Sequence, residues 1–452
     1  MAAAASTPLC TDAVIVLPGI MGSELVDIET GTVLWGLSAR RYVSLWSDDS
    51  PWEKLMVTQS ERDGNTGRIR ATRLLRNPAF APVLQGAEPY ARLVTGIRAV
   101  MIHPQAVLEF PYDWRLSIAH NAAELSDAAQ RHLRTWRAHP HGRTDAKLIL
   151  VAHSMGGLIA RYFTGLLGGS AEVRQTIAIG TPFHGAVKAV FLLDRGRGSY
   201  VPLPRRRLRA LASTMPGVHD LLPSYRCVAE HESSRRLSPA DVEGLGGSLD
   251  LARASAQMHD DLAMLGPADL RTVVGVEQPT MQSLRLRDGV AVPQFFMHED
   301  DGHVDWRGDG TVYSEVATGG IEPVSSLPQS HGGLARAPEA LVAIRAILTR
   351  RRLGPPMGAA VIGLDVPDSV NAGESFEISV TSGDAPGGAR CRIVDADTNL
   401  QVSRPFLVHR DAAMVASAKL PLPGLYRVEA QDGGFSAVTQ LVLALPVTRP
   451  GV

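Results

Sequence analysis

Cysteine is scarce in this chain: Cys10, Cys227 and Cys391 are the three in 452 residues, far apart and without metal-ligand spacing. A sparse, odd count excludes a disulfide framework and reads as a reducing compartment. Long apolar runs are missing as well. No stretch approaches the ~18 residues that a membrane-crossing helix needs, so none is expected. Neither sign of charge prevails, with 45 Lys and Arg against 46 Asp and Glu and a net charge of -1. That balance excludes whole-chain attraction to nucleic acid. The opening "MAAAASTPLCTDAVIVLPGI" holds no Lys or Arg before its apolar stretch and no long apolar segment. A secretory signal is therefore not expected, and these absences together predict a soluble cytoplasmic protein.

What is present is apolar material, 45% of the residues, enough for a large core. The length suggests about two or three domains. "AVIVL" (13–17), "KLILVAHS" (147–154) and "TIAIGTP" (176–182) are short continuous apolar runs whose length and β-branching predict buried strands. "LRTVVGVEQPT" (270–280) and "VPQFFMH" (292–298) predict two more. Between them, Asn121 is placed to cap a helix with Glu124 three residues on, and Leu125, Ala129, Leu133 and Trp136 follow at helical spacing. Buried strands alternating with helices predict a mostly parallel sheet covered on both faces. After the helix that carries Leu341, Ile344 and Leu348 the text changes. "TRRRLGPPMG" (349–358) reads as a linker, placed at 353–358. "SFEISVTS", "GLYRVEA" and "FSAVTQLVLAL" then alternate with period two between Gly- and Pro-rich turns. Residues 359–452 are thus expected to form a small all-β, Ig-like sandwich.

The chemistry centres on "LILVAHSMGGLIARYF" (148–163). A serine hydroxyl attacks only when exposed and deprotonated. A sharp strand-to-helix turn exposes it, and that turn needs small residues two places before and two after. Around Ser154 these are Ala152, where the general pattern has Gly, and Gly156. An oxyanion needs two N–H donors: Met155 follows the serine, and "LPGIMGS" supplies the loop after an earlier strand, with the Ile20 amide as candidate. In chain order a carboxylate and then a histidine should follow. "WRGDGTVY" offers Asp309, and "LPQSHGG" offers His331 just ahead of the last helix. His298, Asp301, His303 and Asp305 in "HEDDGHVD", with His184, are competitors. Those ligand types crowd one loop without a second cluster, so a solvated acidic loop is expected and no metal. No cofactor is expected either. His184 reads as a positioning or core histidine near the site.

Beyond the serine turn, ordered motifs run from "VLPGIMGSEL" (16–25) through "VLWG", "GRIRA", "FPYDWRLS" (110–117) and "IAIGTPFHGA" (177–186) to "MPGVHDLLPS" (215–224), "GVEQPT", "GDGTV" and "SHGG". In this combination the sequence resembles the lecithin:cholesterol acyltransferase family of α/β hydrolases, with the phospholipid:diacylglycerol acyltransferases and the lysosomal phospholipase among its relatives. The resemblance spans roughly residues 12–350. It implies an α/β-hydrolase fold over residues 1–352, with cap insertions at about 31–75 and 187–265. It also implies transfer of an acyl group from a glycerolipid to Ser154 and on to water or an alcohol. Ser154, Asp309 and His331 are then the catalytic triad, with the backbones of Ile20 and Met155 as oxyanion hole. The lysosomal relative has an aspartate where Ile20 stands, so the amide alone carries over. Asp113 and Arg115 of "YDWR" read as a structural charge pair near the site.

By the same resemblance a lipid-contacting lid follows the first strand, where Trp35, Trp46 and Trp52 hold half of the six tryptophans. Arg195, Arg197, Arg205, Arg206, Arg207 and Arg209 cluster further on and suit an anionic surface. The leading expectation is a phospholipase A-type hydrolase or acyltransferase on glycerophospholipids, peripheral on the inner membrane face. Two alternatives stand beside it: a carboxylesterase on smaller esters, and an inactive scaffold that binds a partner. The C-terminal β domain is the place for a protein partner.

Overall fold

A computed structural model describes residues 9–36, 50–75, 90–196, 204–230, 233–266, 269–299, 302–351, 362–382, 389–396, 398–410, 413–432 and 436–446. Trp46, Arg197, Asp301 and the expected linker at 353–358 lie outside these residues. At the centre is a six-stranded sheet. Its order is Ser325–Leu327, Leu270–Gly275, Val173–Ile179, Leu148–His153, Ala13–Leu17 and Val107–Glu109, paired in parallel throughout. Every residue of Ala13–Leu17 is 0% exposed, which is why the run reads as uniformly apolar. Leu17 pairs with Ala152, so the loop after the first strand is delivered beside the residue after His153. Sites of open parallel sheets form at such carboxyl ends.

The Val107–Glu109 and Ser325–Leu327 strands were not foreseen. Three residues carry too little period to be read. "VPQFFMH" also departs from expectation. It divides between Val290–Gln294, which pairs antiparallel with Ser283–Arg287 in a separate sheet, and a hairpin of Met297–Glu299 with Gly302–Val304. The first long helix runs Ile118–Ala138 and is capped by Ser117, whose side chain accepts from the His120 amide, so Asn121 is not its cap. Asn121 lies inside the helix and its amide donates to the carbonyls of Asp113, Leu116 and Ser117 at 3.0, 3.3 and 3.0 Å. Leu125, Ala129, Leu133 and Trp136 are all buried, as their spacing predicted.

The expected first insertion contributes Val33–Trp35 and Ile69–Leu74 to a three-stranded antiparallel sheet with Ser23–Asp27, which precedes it. Here the lid expectation needs correction. Trp35 and Trp52 are 1% and 2% exposed and belong to the core. The Trp35 ring meets Trp114 edge-on at 5.2 Å, and its Nε1–H donates to the Met21 carbonyl at 2.9 Å. Satisfying the indole N–H inside lets the whole ring be buried, and neither ring is available to lipid in this conformation. Of the arginine run, Arg195 pairs with Asp194 at 3.0 Å and Arg209 donates to the Leu193 carbonyl at 2.9 Å. Arg205 and Arg206 are exposed. Among the described residues no helix is long and apolar enough to cross a membrane.

The C-terminal region is all-β, with two antiparallel-dominated sheets of four and five strands. Phe376, Ile378 and Val380 face inward with Ile393, Val428 and Val442, giving this region a core of its own. All three cysteines are buried free thiols.

Candidate active site

Strand Leu148–His153 ends where helix Met155–Leu166 begins, and Ser154 is the single residue between them. It holds φ 54 and ψ -126, a conformation that L side chains rarely adopt. Its amide donates to the Ile179 carbonyl at 2.9 Å, and its carbonyl accepts from Gly157 at 2.9 Å. Small neighbours make the turn fit. A Cβ on Gly156 would lie 2.5 Å from the Pro18 carbonyl oxygen, and one on Gly19 would lie 2.9 Å from the Ser154 Cβ.

His331 opens the short helix His331–Leu334, and its Nε2 stands 2.8 Å from Ser154 Oγ. Its Nδ1 stands 2.7 Å from Asp309 Oδ2, and its amide donates to the Asp309 carbonyl at 2.7 Å. A carboxylate only accepts, so the ring proton sits on Nδ1 and Nε2 is left to accept from the serine hydroxyl. The other carboxylate oxygen takes the amides of Thr311 and Val312 at 2.9 and 2.7 Å. Asp309 is 1% exposed, Ser154 4% and His331 9%. The fold therefore brings together the three residues that the chain order singled out.

The loop after the first strand lies over the same point. Gly22 donates to the Gly19 carbonyl at 3.0 Å, closing a turn in which Met21 has φ 62. Ile20 lines the cavity above Ser154. Met155 is the first residue of its helix, so its N–H is one that a helix leaves without an internal partner. A link that sequence reasoning missed ties this loop to His331. His153 Nε2 lies 3.0 Å from the His331 carbonyl and must donate to it, so Nδ1 accepts from the Tyr90 hydroxyl at 2.8 Å. The Tyr90 oxygen accepts in turn from the Gly19 amide at 2.8 Å. Burial, with His331 alongside, pushes the His153 imidazole down to about 3, so this ring is a neutral bridge. The only hint was a histidine directly before the serine; nothing flagged Tyr90.

The cavity over Ser154 measures about 170 Å³. Gly19, Ile20 and His331 line one side, and Leu364, Asp365 and Leu441 of the C-terminal region line the other. Gln278 holds that region in place: its Nε2 donates to the Ile362 carbonyl at 2.8 Å and its Oε1 accepts from the Leu364 amide at 3.1 Å.

Asp113 and Arg115 do form a charge pair, at 2.6 and 3.0 Å, but a third partner was missed. Glu61 Oε1 accepts from Arg115 at 2.9 Å, and the Leu55 carbonyl accepts from the same guanidinium at 3.1 Å. Burial opposes the Glu61 charge, yet Arg115, the Thr58 amide and Arg68 hold its carboxyl down at about 2. The capping box from Thr58 to Glu61 was the readable signal. His184 is a correction: its side chain is exposed rather than in the core, and it does not line the cavity over Ser154. His298 and His303 meet edge-on at 4.6 Å across their hairpin. Asp305 accepts from the Gln282 amide at 2.6 Å. Among the described residues no group of three His, Cys, Asp or Glu is arranged to hold a metal ion.

No curated protein matches the sequence. Among solved structures, a Bacillus licheniformis lipase, BlEst2, is similar in its propeptide form at 11% identity, covering 95% of this chain and 74% of that one with a TM-score of 0.34. Its mature form is similar at 12% identity, covering 75% of this chain and 92% of that one with a TM-score of 0.33. A superoxide reductase from Ignicoccus hospitalis matches at 11% identity over 19% of this chain and 79% of its own, with a TM-score of 0.15. Likeness at these scores is too remote to carry a functional argument. A family model described as lecithin:cholesterol acyltransferase matches residues 80–241, so the segment that holds "FPYDWRLS" and the Ser154 turn is similar to that family.

Proposed function

We propose that this chain is a serine acyl hydrolase on ester lipids, a phospholipase A-type enzyme on glycerophospholipids, with transfer to an alcohol as its second course. The observation that carries this reading is the hydrogen-bonded series from Asp309 through His331 to Ser154, at 2.7 and 2.8 Å beneath a cavity. Ser154 Oγ attacks the ester carbonyl as His331 Nε2 takes its proton. Asp309 keeps the ring in the tautomer this requires and stabilises the imidazolium. The amides of Ile20 and Met155 receive the oxyanion, each contributing roughly 2.7–4 kcal/mol in the transition state. His331 returns the proton to the leaving alcohol, and water or an alcohol then releases the acyl group from Ser154.

The catalytic unit is residues 1–352, with insertions at about 31–75 and 187–265. The unit at 359–452 is Ig-like and open to a protein partner. The enzyme works in the cytoplasm, meeting lipid at a membrane surface.

A fluorophosphonate probe tests the nucleophile. Wild type should be labelled and Ser154→Ala should not; labelling of both contradicts the Ser154 assignment, and labelling of neither favours the scaffold reading. Mass spectrometry of mixed phospholipid vesicles separates the courses. Lysolipid with free fatty acid indicates hydrolysis and a new ester indicates transfer. Intact vesicles beside cleaved short-chain esters would leave the carboxylesterase.

A further inference from the structure

The loop after Ala13–Leu17 carries Ile20 into the wall of the cavity over Ser154. Gly19 has no side chain to resist rotation about its backbone bonds, so other groups must fix the direction of the Ile20 N–H. Two tyrosine hydroxyls meet at a single peptide there. The Tyr112 hydroxyl donates to the Pro18 carbonyl at 2.9 Å, and the Gly19 amide donates to the Tyr90 oxygen at 2.8 Å. Pro18 C=O and Gly19 N–H are the two edges of one planar unit, so that plane is held from both edges. The next unit is held at its carbonyl, where Gly19 accepts from the Gly22 amide at 3.0 Å. In a trans peptide the N–H points away from the carbonyl, and the described residues include no cis bond. The Ile20 N–H therefore points away from Gly22.

Buried hydroxyls cost free energy unless they are hydrogen-bonded, and phenylalanine would fill either position without one. Tyr112 is 0% exposed and Tyr90 5%, so both polar groups are kept inside the core for a reason other than packing. They come from separate elements. Tyr112 belongs to the "YDWR" stretch, whereas Tyr90 directly precedes the helix Ala91–Arg98. The Tyr90 proton goes to His153 Nδ1 at 2.8 Å, and His153 Nε2 donates to the His331 carbonyl at 3.0 Å. The same hydroxyl thus sets the glycine loop and the loop of the base in one frame.

We propose that Tyr90 and Tyr112 are positioning residues of the oxyanion hole, clamping the Pro18–Gly19 peptide so that the Ile20 amide faces the oxyanion. The inference rests on the serine-hydrolase function proposed above. Donors fixed in advance need no rearrangement when charge develops, and both hydroxyls act through the backbone to that end. Removing either one lets the peptide turn and the Ile20 N–H turn with it.

Hydrolysis of p-nitrophenyl butyrate by the full chain tests the clamp, with Tyr90→Phe and Tyr112→Phe beside wild type. Rates are expressed per site labelled by a fluorophosphonate at completion, which removes any misfolded fraction from the comparison. Each variant should lose about tenfold to a hundredfold in kcat with KM within about twofold, because a displaced oxyanion donor is felt in the transition state. The inhibition constant of a trifluoromethyl ketone, whose serine adduct carries the oxyanion, should rise by the same factor. The pH dependence of kcat/KM should keep its midpoint. A moved midpoint in Tyr90→Phe, beside full activity in Tyr112→Phe, assigns the loss to the His153–His331 branch and overturns the clamp. A labelled wild type whose folded variants keep full kcat overturns the inference and leaves the function standing. An unlabelled wild type overturns the function, and the inference with it. Circular dichroism melts identify a variant that fails to fold, and the other then carries the test, since each removes one of the two hydroxyls.

Discussion

Ser154 is held at φ 54 by its surroundings, and strain of this kind costs roughly 1–3 kcal/mol that neighbouring packing must offset. Glycines at 19 and 156 supply the room, and the residue types around the turn were therefore legible before any coordinates. Asp220 was not. It is buried with Oδ2 accepting from the Ile118 amide at 2.8 Å, and burial pushes its carboxyl up to about 7 from an ordinary 3.8. Its folded pKa exceeds the unfolded one, so its contribution to stability is fully present below about pH 4 and is lost as pH rises through about 7. Asp220→Asn keeps an acceptor for Ile118 and removes the ionisation. The expected outcome is a higher Tm than wild type at pH 8 and little difference at pH 4.5. Melts at the two pH values check this, and a lower Tm at pH 8 would contradict it.

At the scale of elements, the long apolar strands announced themselves, and Ala13–Leu17 and Leu148–His153 form adjacent central strands of the sheet. Where elements were missed or misplaced, the reason is that three-residue strands have no period and that a capping pattern can be overruled. Asn121 lies within its helix, where its side-chain amide reaches back to three carbonyls at the helix entry, and of these the Leu116 carbonyl has it as its partner. Arg115 is the corresponding joint between elements. Its side chain is 0% exposed and bridges Asp113, Glu61 and the Leu55 carbonyl, tying the loop before Ile118–Ala138 to the first insertion. Arg115→Met would leave the buried Asp113 carboxylate without its cation and Glu61 with Arg68 alone, at a cost of about 3–5 kcal/mol. Urea unfolding should report this loss at neutral pH. At pH low enough to protonate Glu61 the difference should shrink, since that charge disappears; a pH-independent loss would assign the effect to packing instead.

At the scale of the whole molecule, the C-terminal region is more than an appendage, since its Leu364 and Leu441 face Ser154 across one cavity. Gln278 sits next to the Asp309 turn and grips the backbone of that region with both ends of its amide. Gln278→Ala leaves a carbonyl and an amide buried without it, a loss of roughly 1–3 kcal/mol. The expected outcome is a lower melting temperature together with faster hydrogen exchange at Leu364. Unchanged exchange there would show that the Gln278 contacts do not hold the two parts together. By itself the sequence determined the parallel sheet, the all-β tail and the order of glycine loop, serine, aspartate and histidine. Strand period and turn sterics are local properties, written within a few residues of each other. Only the tertiary structure decided that Trp35 and Trp52 are core, that Tyr90 and His153 join the Gly19 loop to His331, and that the tail walls the cavity. Those contacts connect residues distant in the chain, 14 positions for Trp35 and Met21 and 63 for Tyr90 and His153, and such pairings leave no periodic trace in it.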